Sequence, residues 1–488
     1  MDFLQTPLNW FSQNILQNPA FFVGLLVLVG YALLKKKPHD VFAGFIKATV
    51  GYMILNVAAG GLVTTFRPIL AALNYKFQID AAVIDPYFGL AAANGKIAEE
   101  FPDFVSAATT ALLIGFGVNI LLVVLRKVTK VRTLFITGHI MVQQAATVSL
   151  MVLFLIPALR NQFGTAAIGI ICGIYWAVSS NMTVEPTQRL IGGGGFAIGH
   201  QQQFAIWFVD KIAPKLGKKE ENLDNLKLPS FLNIFHDTVV ASATLMLVFF
   251  GVILFILGPE IMANPEVITS GAPYNPAKQA FFMYVIQTAF TFSVYLFILM
   301  QGVRMFVAEL TNAFQGISSK LLPGSFPAVD VAASYGFGSS NAVLSGFAFG
   351  LIGQLITIVL LITIVLLIVF KSPILIITGF VPVFFDNAAI AVYADKRGGW
   401  KAAAILSFIS GVLQVALGAV CVGLLELSGG YHGNIDFEVP WLPFGFAFKY
   451  LGIAGYVLVC LFLLAIPQLQ FAKAKDKEAY YRGEAQAE

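Results

Sequence analysis

Long apolar runs constrain this chain more than any other feature, because two stretches among them carry groups that hydrocarbon does not tolerate alone. A membrane span needs about 20 mainly apolar residues. By that rule eleven spans fall at roughly 19–34, 45–66, 104–125, 133–159, 163–182, 235–258, 279–301, 341–370, 372–394, 401–425 and 441–470. Gly138-His139-Ile140-Met141-Val142-Gln143-Gln144 is one polar stretch, and Gly199-His200-Gln201-Gln202-Gln203 is the other. A polar side chain at bilayer depth is unfavourable unless it finds a partner or lines a wet cavity. Neutral hydrogen-bonding groups without an ion pair suit a polyhydroxylated solute, so the expectation is a transporter of a small polar molecule.

Composition agrees with the class. The chain is 58% hydrophobic and 11% charged, against about 25% charged in soluble domains, and its 44 Gly fit the glycine enrichment of membrane helices. An all-α polytopic membrane protein follows. The first 18 residues lack the basic start of a cleaved signal peptide, so none is expected. Cys172, Cys421 and Cys460 stand singly in apolar runs and read as small buried hydrophobes. The five His show no ligand spacing, so neither metal nor cofactor is expected.

Basic residues orient the spans. With the N-terminus outside, the inner segments hold 23 of the 30 Lys and Arg, from Lys35–Lys37 through Lys211–Lys227 to the tail at 473–488. The C-terminus is then cytoplasmic. Segments 74–100, 183–204 and 323–340 are semi-polar and bounded by Pro or Gly. They read either as re-entrant segments covered by protein or as surface loops. Segment 302–320 reads as an amphipathic helix at the cytoplasmic interface.

An internal repeat organises these elements into one permease domain over 1–488. Thr137-Gly138 with Ala145-Ala146 is matched by Thr378-Gly379 with Ala388-Ala389, Asp80 by Asp330, and Gly117 by Gly353, in common order and at offsets near 241. Two units of five spans, at about 19–204 and 235–425, must be inverted in the membrane because five is odd. Inverted repeats mark transporters with a midplane site. A linker at 211–232, an extra helix at 441–470 and the tail complete the chain. The first half offers His139 and Gln143 where the second offers Phe380 and Phe384, so the site is expected to be asymmetric.

Among the polar residues, His139 and Gln143 lie four apart and share a helix face; the alternative is a bond that only packs helices. His200 and Gln201 follow a tetraglycine run where backbone can approach a ligand, or else end a polar loop. Asp330 could accept hydroxyl hydrogen bonds or serve a hairpin tip. His236-Asp237 reads as a helix junction, with Asn233 as a possible cap. His39 and His432 read as solvated loop residues.

At these residues the chain resembles the ascorbate-type enzyme IIC component of the bacterial phosphotransferase system. The matching strings include Thr137–Gln144, Gly199–Ala205, Leu216–Glu221, Leu226–Pro229, Leu232–Asp237 and Gln301–Leu310. The resemblance implies a homodimer in the cell membrane, each protomer divided into a core and a V-shaped motif, with elevator-like movement of the core. Family binding residues map onto Tyr87, His139, Gln143, His200, Gln201 and Asp330. Two places depart from the family. Ala58-Ala59 stand where it has Gly-Ser, leaving backbone amides only, and Asp85-Pro86-Tyr87 stand for Asp-Thr-Tyr, losing a hydroxyl and an N–H. The implied solute is L-ascorbate or a related sugar acid. The implied partners are a phosphocysteine-bearing enzyme IIB and an enzyme IIA, on separate polypeptides because no Cys here lies outside an apolar run. The basic loop Lys211–Lys227 and the segment near Arg304 are candidate docking surfaces. The chain itself is then a transport subunit rather than an enzyme. The competing reading is a proton-coupled secondary transporter using Asp85, Asp330 or Asp386.

Overall fold

Prolines and short polar caps set where the helices begin. Asn18 accepts the Ala20 N–H at 3.2 Å ahead of Pro19, and Asp85 accepts the Tyr87 N–H at 3.0 Å ahead of Pro86. Proline suits a first helical turn, where its missing N–H would have no helical partner. Asp237 accepts from Val239 and Val240, as a residue at a helix junction should.

The computed structural model describes residues 18–77, 80–193, 195–225, 237–269, 273–322, 324–360, 374–379, 381–427 and 429–483. Asn233, His236 and Phe380 lie outside the described residues. The first half contains α1 (Pro19–Leu33), α2 (Pro38–Phe77), β1 (Asp80–Ile84), α3 (Pro86–Glu100), α4 (Ala107–Val124), β2 (Thr133–Phe135), α5 (Gly138–Leu155), α6 (Gly164–Met182), α7 (Val184–Ile191), β3 (Ala197–Ile198) and α8 (Gln203–Leu216). The second contains α9 (Thr238–Leu257), α10 (Phe281–Leu321), β4 (Phe326–Val329), α11 (Ala332–Tyr335), α12 (Ser340–Leu360), β5 (Ile374–Thr378), α13 (Asn387–Leu424), β6 (Gly429–Tyr431), α14 (Ile435–Glu438), α15 (Trp441–Lys473) and α16 (Lys477–Arg482).

The described residues hold six helical segments long and apolar enough to cross a membrane: Ala107–Val124, Gly138–Leu155, Gly164–Ile191, Asn341–Leu360, Pro382–Leu424 and Ile435–Lys473. Shorter apolar helical runs lie at Val23–Leu33, Met246–Leu257 and Phe281–Tyr295. A multi-pass, mostly helical membrane protein is what these residues form. Several expected boundaries move. Segments 279–301 and 302–320, read above as a span and a separate interfacial helix, are one 41-residue helix, α10. At 1.5 Å per residue it is about 60 Å long, twice the hydrocarbon thickness. It packs along the 40-residue α2. Spans 372–394 and 401–425 share α13, which bends where Gly399 takes φ 69°. Such a positive φ is open to glycine at little steric cost.

The three semi-polar segments are neither surface loops nor simple helical hairpins. Each contains a short strand, and the six strands form two parallel sheets of three, ordered β5–β1–β6 and β2–β4–β3. In register, Ile84 faces Thr378 and Tyr431 in the first sheet, and Ala328 faces Phe135 and Ala197 in the second. Parallel neighbours need long crossovers, and here the crossovers are whole helices. Each sheet takes its central strand from one half of the chain and both flanking strands from the other. Asp330 directly follows β4 and caps the Ala332 N–H at 2.9 Å, as Asp85 follows β1 and caps Tyr87. Asp80, matched with Asp330 in sequence, opens β1 instead.

A buried cation ties the tail to the core. Arg132 donates to Glu185 at 2.7 and 3.2 Å, to Asn181 Oδ1 at 3.1 Å and to the Tyr480 carbonyl at 2.5 Å, with the Tyr480 ring stacked on it at 3.5 Å. A guanidinium this deep is tolerated because its charge and its donors are met together.

Candidate functional site

The site is built at the C-terminal ends of β2, β4 and β3. His139 sits in the first turn of α5, four residues beyond β2; Asp330 is the first residue after β4; His200 is the second after β3. Three parallel strands thus deliver three side chains to one place, although the residues lie 61 and 130 apart in sequence. His139 Nε2 is 3.4 Å from Asp330 Oδ2, and His200 Nε2 is 3.8 Å from Asp330 Oδ1. The two imidazoles meet edge to face at 6.0 Å and 71°. The helix that starts at Gly138 carries His139 in its first turn, so its positive end lies at the cluster and favours an anion.

Behind this cluster lies a network that fixes its proton positions. Asp386 accepts from Gln202 Nε2 at 2.5 Å, Asn434 Nδ2 at 2.6 Å, Gln414 Nε2 at 2.9 Å and the Ile435 N–H at 2.7 Å. A carboxylate only accepts, so the Gln202 amide must turn its Nε2 toward Asp386 and its Oε1 toward His200. That oxygen is 2.9 Å from His200 Nδ1. Nδ1 therefore carries the proton, and in neutral His200 the Nε2 lone pair faces Asp330. The His200 carbonyl is held as well, accepting from Gln144 Nε2 at 3.0 Å while Gln144 Oε1 accepts from Trp176 Nε1 at 2.7 Å.

Gln143 and Gln201 join the cluster through each other. Gln201 Nε2 donates to Gln143 Oε1 at 2.6 Å, and Gln201 Oε1 accepts from His432 Nε2. His432 Nδ1 in turn meets Thr147 Oγ1 at 2.9 Å. His432, expected above to be solvated, is fully buried. It is the first residue after β6, whereas His200 is the second after β3.

Five of the eight sequence-named residues therefore converge: His139, Gln143, His200, Gln201 and Asp330. Tyr87 stands in the first turn of α3, after β1 of the other sheet, and is buried. Ala58 and Ala59 lie mid-way along α2, where a continuous helix engages their amide groups internally. Sequence reasoning missed Gln202, Asp386 and His432 as supports. Gln202 stood in a quoted string and Asp386 among the candidate proton carriers, but only the fold shows that they touch.

Comparison with known proteins gives the family. Residues 14–445 match the family described as EIIC-GAT, the sugar-specific permease component of the phosphotransferase system. The chain belongs to that family. The permease is also 33% identical over 448 residues to the ascorbate-specific phosphotransferase-system EIIC component of Mycoplasma pneumoniae, which covers 87% of this chain and 67% of that protein. As an EIIC component it is a transport subunit.

Gly199 keeps the permease's site narrow. Its N–H donates to Val329 O at 2.8 Å, and a Cβ there would stand 2.7 Å from the Ala328 carbonyl oxygen. Gly199→Ala must push β3 off β4 and carry His200 with it. A displacement near 1 Å at a reacting or binding group can lower rates about 100-fold. The expected result is a loss of initial uptake rate of that order with unchanged elution on size exclusion; an uptake rate within twofold of wild type would show that the strand contact is not limiting.

Proposed function

We propose that this permease binds L-ascorbate, or a related sugar acid, at the His139–His200–Asp330 cluster and releases it to the cytoplasmic face for phosphorylation. The single observation that carries this reading is the convergence of two imidazoles, two glutamine amides and one carboxylate, where the N-terminus of α5 adds positive potential. An anionic enediol with hydroxyl groups offers the matching acceptors and donors. The ascorbate-specific relative supports the choice of solute. The phosphoryl donor in this reading is a separate phosphocysteine-bearing enzyme IIB supplied by enzyme IIA. The two departures, Ala58-Ala59 and Pro86, remove hydroxyl groups and tune which sugar acid is preferred.

The movement proposed is elevator-like, with a core of sheets and short helices sliding against the long α2 and α10 in a homodimer, N-terminus outside. The interleaving of the two sheets supports two inverted repeats. Asp85 and Asp330 each directly follow the central strand of their sheet. The repeat offset rises from 241 at Thr137 and Thr378 to 243 at Ala145 and Ala388 across the π-helical turn Pro382–Asp386. Such turns insert residues into helices, frequently at functional sites.

The deciding experiment is uptake of labelled ascorbate into vesicles, with and without phosphoenolpyruvate and the soluble phosphotransferase proteins. The expected product inside is ascorbate phosphate. Accumulation of unmodified solute driven by a proton gradient alone would overturn this reading in favour of secondary transport.

A further inference from the structure

We propose that His139, His200 and Asp330 also form a binding site for a divalent zinc-type metal ion, and that metal and solute exclude each other. The geometry comes first. One ligand atom from each of the three residues lies within 4.8 Å of the others. Tetrahedral Zn²⁺ with bonds of about 2.0–2.1 Å places its ligand atoms roughly 3.3–3.5 Å apart. His139 Nε2 to Asp330 Oδ2, at 3.4 Å, already has that spacing; His200 Nε2 lies 3.8 Å from the other oxygen, Oδ1, so the carboxylate either binds through both oxygens or turns as the site closes on the ion.

Proton positions favour the metal as well. His200 spends its Nδ1–H on Gln202 Oε1, so its Nε2 presents a lone pair toward a carboxylate that also presents lone pairs. These two acceptors, one of which also holds the Ala332 N–H, lie 3.8 Å apart, and a cation between them would be attracted by both. A metal-bound imidazole whose other nitrogen donates to a fixed oxygen is the usual supporting arrangement, and the Asp386–Gln202–His200 chain supplies it. His139 Nδ1 is buried without a partner, leaving Nε2 as the ring atom able to reach a ligand. Two nitrogens and one oxygen make a borderline donor set that suits zinc and cobalt over magnesium or calcium. The Asp330 side chain is 37% exposed, so a fourth position is open to water. Sequence spacing could not reveal the set, since each ligand comes from a different strand end.

The exclusion of solute rests on the ascorbate reading; the metal site does not. The test is equilibrium binding of Zn²⁺ to the purified full-length permease in detergent, free of affinity-tag histidines, with Co²⁺ as a spectroscopic stand-in. Expected are one Zn²⁺ per protomer, visible d–d absorption of a low-symmetry Co²⁺ site, and at least tenfold weaker binding in His139→Ala and in His200→Ala. Asp330→Asn, which keeps the helix cap, should lose the Co²⁺ spectrum while eluting as wild type. Saturating ascorbate should weaken Zn²⁺ at least tenfold, and Zn²⁺ should inhibit uptake competitively. Absence of binding to wild-type protein, or binding unchanged in both histidine variants, overturns the metal site whether or not ascorbate is transported. Zn²⁺ affinity unchanged or raised by ascorbate in a protein that does transport it overturns the exclusion.

Discussion

Asp386→Ala is expected to leave no monodisperse permease in mild detergent, or to lower its unfolding midpoint by many degrees. The carboxylate is fully buried and receives four donors, from Gln202, Asn434, Gln414 and the Ile435 backbone. Each buried donor left without an acceptor costs about 1–3 kcal/mol. Four of them together are comparable with the whole stability of a typical folded chain, roughly 5–15 kcal/mol. Asp386→Asn keeps the shape and one acceptor oxygen, so it should fold with a smaller loss. It also puts an amide donor among donors, which frees the Gln202 amide to turn over. His200 then loses its fixed Nδ1–H tautomer, and uptake should fall more than stability does. Temperature-dependent size exclusion and initial uptake rates on the same preparations separate the two effects. If Asp386→Ala eluted as wild type with an unshifted midpoint, the four-donor hub would have no structural weight. If Asp386→Asn were stable but had lost only its dependence on a proton gradient, Asp386 would be a proton carrier and the secondary-transport reading would return.

The class of this protein was legible because hydrocarbon is intolerant: apolar runs of span length and basic residues in alternate connections leave little freedom. The pair His139 and Gln143 was legible for the same reason, as was His200 with Gln201. The two sheets were not. Their strands are two to five residues long, so period-two alternation has no room to register, and their pairing partners lie far away in sequence. Pairing Ile84 with Thr378, for example, spans 294 residues. The same shortness hid which aspartates share a local setting: Asp80 and Asp330 could be matched by eye, but only the strands show that Asp85, like Asp330, directly follows one. His432 was misread because Gly429, Gly430 and Gly433 around it look like a loop. Gly430 and Gly433 allow close packing against Phe88 and the Ile84–Asp85 backbone instead, and the imidazole fills a buried place between Gln201 and Thr147.

Asp330→Asn separates binding from folding more cleanly than any change at the histidines. Asp330 does two jobs with one side chain: Oδ1 caps α11 through the Ala332 N–H at 2.9 Å, and both oxygens face the imidazoles. Losing a cap costs about 1 kcal/mol, but asparagine caps as well as aspartate does. The side chain is also part-exposed, so the uncharged variant meets little desolvation change and its unfolding midpoint should stay within a few degrees. What it loses is the charge. Hydrogen bonds to a charged group contribute about 1.5–3 kcal/mol, and losing one such bond to the solute lowers uptake at limiting solute by roughly 10- to 150-fold at 1.4 kcal/mol per decade. Asp330→Ala adds the missing cap and should show the same uptake defect with a slightly lower midpoint. Equal uptake by Asp330→Asn and wild type would mean that the carboxylate only terminates β4, and that the solute is held by the imidazoles and the Gln143–Gln201 pair alone.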